Sequence, residues 1–342
     1  MRIVDLRSDT VTLPTPAMRE AMQHAEVGDD VYREDPSVRA LEELAAELTG
    51  KQAGLFMASG TMGNQTAILT HTHKGDEVIC EAEAHVYYYE VGGMVTLAGV
   101  QPRTINAPRG ILNAEVIAQA IRPHDIHQPP TTLICLENTH NRAGGTCYPL
   151  QTLQEIYALA QEKHIAVHMD GARLFNAAAA KRTSVRDIAQ YADSIQFCVS
   201  KGLCAPVGSL LVGRCEFIER ARRFRKMLGG GMRQAGVLAA AGMIALTQMV
   251  DRLPEDHANA RCLAEAIAEL GLGIDLTTVE TNIVVFDIAS LSIAIERFIG
   301  ELNTHGIKAS QFGPTKVRMV THYGITKSDI DYVISVLSRL VK

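Results

Sequence analysis

Lys201 stands just past an apolar run at 196–199 and is followed at once by Gly202. A second apolar run, 208–212, comes after it. A lysine at the mouth of an apolar strand is partly shielded from water and can attack a carbonyl to form a Schiff base. Asp170 closes another apolar run, IAVHM at 165–169, and leads into Gly171, Ala172 and Arg173. A carboxylate in that position can hold a proton on a heterocyclic nitrogen.

Two further groups occupy similar places. Ser59, Gly60 and Thr61 follow AGLFM (53–57), and hydroxyls with free backbone N–H groups at a helix start suit a phosphate. His85, ahead of three tyrosines, offers a ring that can stack on a flat heterocycle. Three of them have a plainer explanation alone: a turn lysine and two helix caps. Together they meet the four demands of pyridoxal 5′-phosphate (PLP): anchor, proton holder, phosphate cradle and stacking ring. No G-x-x-x-x-G-K-[ST] motif occurs, and no G-x-G-x-x-G follows a strand, which disfavours a nicotinamide dehydrogenase.

The elements that must position these groups alternate. Asp35-Pro36 opens a helix that ends at Gly50, and 61–71 and 150–164 read as further helices. Strands are expected at 53–57, 77–80, 131–136, 165–169, 194–199 and 209–212. Short apolar strands separated by helices predict an α/β fold with a mostly parallel sheet covered on both faces. In such sheets ligands bind at the carboxyl ends of the strands, where these residues fall. The strands expected at 282–287 and 316–320 suggest a small α+β domain, so the division is 1–250, with an N-terminal arm, and 251–342. The apolar run 235–250 contains Gly236, Gly242, Thr247 and Gln248, and reads as a core or subunit-interface helix rather than a membrane span.

Composition is that of an ordinary globular protein: 342 residues, 47% hydrophobic, 21% charged, net charge −5. Nothing there points to nucleic acid; the one basic run, 220–226, reads as a solvated helix or a phosphate-facing surface. Seven cysteines at irregular spacing, and an amino-terminal stretch without an apolar signal core, predict a reducing cytoplasm.

Longer motifs then carry a resemblance. DLRSDTVT (5–12), VGDDVY (27–32), ASGTMGN (58–64), AHVYYYE (84–90), LENTHNRAGG (136–145), HMDGARLFNA (168–177), SKGLCAPVGSLLVG (200–213), KMLGGGMRQAG (226–236) and VRMVTH (317–322) resemble the low-specificity L-threonine aldolases. These are PLP enzymes of the aspartate-aminotransferase fold, fold type I, with a large domain and a small carboxyl-terminal one. The resemblance implies retro-aldol cleavage of threonine or allo-threonine to glycine and acetaldehyde.

It also implies roles. Lys201 is the Schiff-base lysine, Asp170 the pyridine-nitrogen carboxylate, and His85 the stacking ring. Ser59, Gly60 and Thr61 hold phosphate, and Arg173 lies near the cofactor oxygen O3′ and the substrate carboxylate. Ser8 and Arg318 bind that carboxylate. His127, in PHDIHQ, lies near the substrate β-hydroxyl, so His85 and His127 are both candidates for the base. Lys226 and Arg233 reach a neighbouring subunit's cofactor site, which implies a homo-oligomer, a tetramer built as a dimer of dimers.

The alternatives are another fold type I PLP lyase, such as a β-eliminating lyase, and a non-catalytic PLP-binding protein. Two positions depart from the family pattern: Cys204 stands where SKGLGAP has Gly, and Arg33 where VYGEDP has Gly. His140 draws notice by position but acquires no role.

Overall fold

The computed structural model describes residues 3–341. Its centre is a seven-stranded sheet in the order β2–β8–β7–β6–β5–β3–β4. The strands are β2 (Ala53–Met57), β3 (Glu77–Glu81), β4 (Gln101–Ile105), β5 (Thr131–Glu137), β6 (Ala166–Asp170), β7 (Ser194–Cys198) and β8 (Ser209–Gly213). β8 runs antiparallel to both its neighbours, and every other pairing is parallel. Six strands therefore share one direction, and their carboxyl ends share one edge.

The helices start and stop where the sequence says they should. In α2 (Pro36–Thr49) the Asp35 carboxylate accepts the Val38 N–H at 2.9 Å, and Gly50 ends the helix at φ +67°. In α3 (Gly60–His71) Ser59 Oγ accepts the Met62 N–H at 3.2 Å. α3 lies close on the sheet because residue 63 is glycine: a Cβ there would come within 2.5 Å of Gln196 Cγ. The helix Gly236–Gln248 packs on α2 and on α1 (Pro16–Gln23), and no single helix among the described residues is long and apolar enough to cross a membrane.

A second sheet, β11–β12–β9, is antiparallel and consists of β9 (Ile283–Asp287), β11 (Ser310–Gln311) and β12 (Lys316–Val320). Its core includes Phe286, Phe298, Val317 and Val333, and is separate from the core around the main sheet. The amino-terminal arm belongs to this second core. β1 (Val4–Asp5) pairs in parallel with β10 (Ile307–Lys308), and Val4 and Leu6 are fully buried there. The sequence places that arm with the large unit; its alternating apolar side chains find their partners in the small one.

Candidate active site

The carboxyl edge of the main sheet and the arm enclose a cleft with two lobes. One, about 340 Å³, is lined by Ser59, Gly60, Thr61, Asn64 and Gln196. The other, about 390 Å³, is lined by Ser8, Arg173, Asn141, Phe312 and Arg318. His85, Asp170 and Lys201 line both, so they stand where the lobes meet. Nine of the residues singled out from the sequence thus come together: Ser8, Ser59, Gly60, Thr61, His85, Asp170, Arg173, Lys201 and Arg318.

Each is positioned by its element. Asp170 is the last residue of β6, and Lys201 lies in the turn after β7. The Cys204 N–H donates to the Lys201 carbonyl at 2.9 Å, and the same carbonyl accepts Thr12 Oγ1 at 3.0 Å. Asp170 is buried among donors: Asn64 Nδ2 at 2.8 Å to Oδ2 and the Ala172 N–H at 3.0 Å to Oδ1. Gln196, in the amide orientation that satisfies both of its polar atoms, adds a donor at 3.1 Å.

His85 opens the short helix α4 (His85–Tyr88), fixed by its own N–H donating to Glu137 Oε2 at 2.6 Å. Its Nδ1 lies 2.9 Å from Glu90 Oε1, a buried carboxylate that also takes Asn64 and Gln65. Burial disfavours the imidazolium, but Glu90 and the nearby Asp170 outweigh it, so the His85 pKa is raised. With Nδ1–H given to Glu90, Nε2 has no protein partner among the described residues and is free to accept a proton.

Arg173 is buried and held by Asp9 through two parallel bonds, Nε to Oδ2 and Nη2 to Oδ1, both 2.7 Å. Arg318 is different. Its Nη1 donates to Asn141 Oδ1 at 2.9 Å and its Nη2 to the Arg7 carbonyl at 3.2 Å, but it makes no ion pair among the described residues. Its Nε is buried without a partner. Burial and the nearby Arg173 charge pull its pKa down, so this guanidinium is short of an anion.

Three residues lie outside the cleft. The His127 side chain is 82% exposed and its Nδ1 pairs with Asp125 at 2.9 Å. It precedes β5, at the amino edge of the sheet, and the seven residues of β5 span roughly 20 Å to the cleft edge. It does not line the cleft of its own chain. Lys226 is exposed and lines a separate basic hollow with Arg33, Arg222 and Arg223. Arg233 is also exposed and donates to Asp29 at 2.8 Å. One member of the basic run is internal: Arg225 is buried against Asp30 (2.7 Å) and the Phe56 carbonyl.

Both departures from the family pattern sit in the left-handed backbone region, Arg33 at φ +62° and Cys204 at φ +67°, where glycine is the usual occupant. Cys204 is fully buried beneath the lysine turn, and Arg33 pairs with Glu219. His140 is a packing residue: its Nε2 meets Glu81 at 2.9 Å, and its ring lies against Gly110.

The site contains groups that sequence reasoning passed over. Asp9, Asn64 and Glu90 lie inside motifs already quoted, but one charged or amide residue in a motif does not announce its partner. Asn64 is four residues past Gly60, one helical turn, and that spacing is the signal that places it beneath the phosphate lobe.

The cleft fits PLP. Gly60 and Thr61 keep their backbone N–H groups free because Ser59 caps Met62, and a Cβ at residue 60 would close to 3.0 Å on Cys198 Sγ. The donors around Asp170 fix its side chain at the cleft, where it can meet a ring nitrogen. Fold and site together define a PLP-dependent fold type I lyase.

The comparisons narrow this. Residues 5–290 match the family described as Beta-eliminating lyase. The chain is 45% identical over 341 residues to Low-specificity L-threonine aldolase 1 of Arabidopsis thaliana, covering 98% of this chain and 95% of that protein. It is 45% identical over 329 residues to Low specificity L-threonine aldolase of Escherichia coli K12, covering 96% of each. The solved structure of Leishmania major threonine aldolase superposes with a TM-score of 0.84 at 20% identity, over 99% of both chains, and shows the same fold. The chain belongs to the low-specificity L-threonine aldolase family.

Proposed function

We propose that this protein cleaves L-threonine and L-allo-threonine to glycine and acetaldehyde, with PLP held in the two-lobed cleft. The observation that carries this is Arg318: a cation without an anion, in the lobe that opens on Lys201 and His85. An α-carboxylate supplies what it lacks.

Bound PLP supplies an electron sink for the pair released when the Cα–Cβ bond breaks. Lys201 anchors the cofactor covalently, and Asp170 keeps its ring nitrogen protonated. Ser59, Gly60 and Thr61 hold the phosphate, and His85 stacks on the ring. Arg318 and Ser8 clamp the substrate carboxylate, with Arg173 behind them, fixing which Cα bond is presented for cleavage. His85 takes the β-hydroxyl proton, directly or through water; its lock on Glu90 supports this.

The active form is a homotetramer, a dimer of dimers with shared sites. Lys226 and Arg233 are supported as residues that serve a neighbouring copy, since both are exposed and outside their own cleft. His127 serves a neighbouring copy too. The division at residue 250 and a cytoplasmic location complete the proposal; seven free cysteines suit a reducing compartment.

The test is an aldehyde-release assay on L-threonine, L-allo-threonine and their D-isomers, with and without added PLP. Glycine with acetaldehyde is expected from the L-isomers. Pyruvate with ammonia would favour a β-eliminating lyase instead.

A further inference from the structure

Asp170 stands at one end of a hydrogen-bonded chain that runs away from the cleft, between α3 and the sheet, to the sheet's opposite edge. Asn64 Nδ2 donates to both Glu90 Oε1 and Asp170 Oδ2, each at 2.8 Å. Both amide protons are then used, so Asn64 Oδ1 must accept, and His168 Nε2 lies 3.1 Å from it. The Nε2 of His168 therefore carries the proton and its Nδ1 is bare. Ser194 Oγ, 2.9 Å from that Nδ1, must donate its only proton there. The same oxygen then accepts from His71 Nε2 at 2.7 Å. Two carboxylates at one end fix the direction of every link.

Asn64, His168 and Ser194 are all buried. His71 stacks on Phe217 with ring centroids 4.4 Å apart, and lines a hollow with Gln161, Asp193 and Arg214 at the amino edge. Burial pushes His168 down to about 4 and His71 down to about 3, so both rings are neutral near pH 7. A neutral chain keeps competing cations away from Asp170, and its single satisfied arrangement holds each member in place. The shared amide also lets two buried carboxylates, Glu90 and Asp170, sit side by side.

We propose that His168 is a positioning residue for the cofactor: by holding Asn64 between Glu90 and Asp170, it fixes the Asp170 carboxylate against the cofactor's ring nitrogen. This rests on the reading of Asp170 as the ring-nitrogen carboxylate. Nothing in the reaction touches His168 itself, which acts only through Asn64.

The experiment compares wild type, His168→Leu and His168→Gln, each reconstituted with PLP labelled with 15N in the ring. Glutamine can still donate to Asn64 and accept from Ser194, whereas leucine can do neither. His168→Leu should move the ring-nitrogen signal toward the unprotonated form and weaken PLP binding about tenfold. It should also lower kcat about tenfold while leaving KM within about twofold. His168→Gln should keep the wild-type signal and bind PLP within about threefold of wild type.

A wild-type signal and affinity in His168→Leu, or equal losses in both variants, overturns the inference. Should His168→Leu give no folded holoenzyme, Ser194→Ala, which removes the donor to Nδ1, carries the same test. It is expected to weaken PLP binding, and wild-type affinity and signal there would overturn the inference as well. Asp170→Asn separates the two readings. A signal altered by Asp170→Asn but not by His168→Leu sinks only the inference. A signal unmoved by Asp170→Asn sinks the role of Asp170.

Discussion

Asp9 and Arg173, one from the amino-terminal arm and one from the loop after β6, form a buried bidentate ion pair with both bonds at 2.7 Å. Burial alone would raise the Asp9 pKa, but the Arg173 charge and its hydrogen bonds hold it well below the ordinary carboxylate range. The pair's contribution is therefore present above the unfolded carboxylate value near pH 4 and is lost as pH falls through the depressed folded value.

Removing one partner leaves a buried charge alone. Asp9→Ala should cost about 3–5 kcal/mol of folding stability, read as a shift in the urea midpoint. A loss under about 1 kcal/mol would mean that Arg173 finds another partner.

Lys201→Ala should abolish aldehyde release and leave no lysine adduct after borohydride reduction of the PLP-loaded protein. An adduct trapped on a different lysine would remove Lys201 from the anchoring role.

Glu90 raises the His85 pKa by favouring the imidazolium. Glu90→Gln keeps an acceptor for Nδ1–H but removes the charge, so the His85 pKa should fall. The acid limb of the kcat/KM profile should then move to lower pH by about one unit. An unmoved limb would assign it to another group.

His127→Ala should lower aldol cleavage and Lys201→Ala should abolish it. Mixed oligomers of the two should recover activity, because a site with an intact Lys201 can receive His127 from the other kind of subunit. No recovery in verified mixed oligomers would show that His127 does not act across a subunit boundary.

Cys204 occupies the left-handed region at φ +67° with its side chain fully buried. Cys204→Gly and Cys204→Ala both remove the thiol, but only glycine relieves the backbone. The glycine variant should be the more stable of the two by about 1 kcal/mol in paired denaturation curves. Equal stability would mean that the turn carries no strain.

The fold was legible because its signals are local. Asp35, Gly50 and the short apolar runs announce the helices and strands that place Asp170 and Lys201 at one edge. The residues that line the cleft at strand ends were legible for the same reason. What sequence could not supply were pairings between distant segments, such as Asp9 with Arg173, or Asn64 shared by Glu90 and Asp170. Such pairings depend on how elements pack, and no periodicity encodes them. His127 shows the opposite hazard: the family motif names it for the site, yet its exposed side chain lies outside the cleft of its own chain.

The parallel pairing of Val4–Asp5 with Ile307–Lys308 sets an order in time. During synthesis the arm emerges about 300 residues before its strand partner. Until then the arm has no docking place, and Asp9, a few residues behind that strand, is not yet delivered to Arg173. The main sheet can form early, but the completed site should appear only after residues 307–308 have been made, so that chains truncated before them fail to mature into active enzyme.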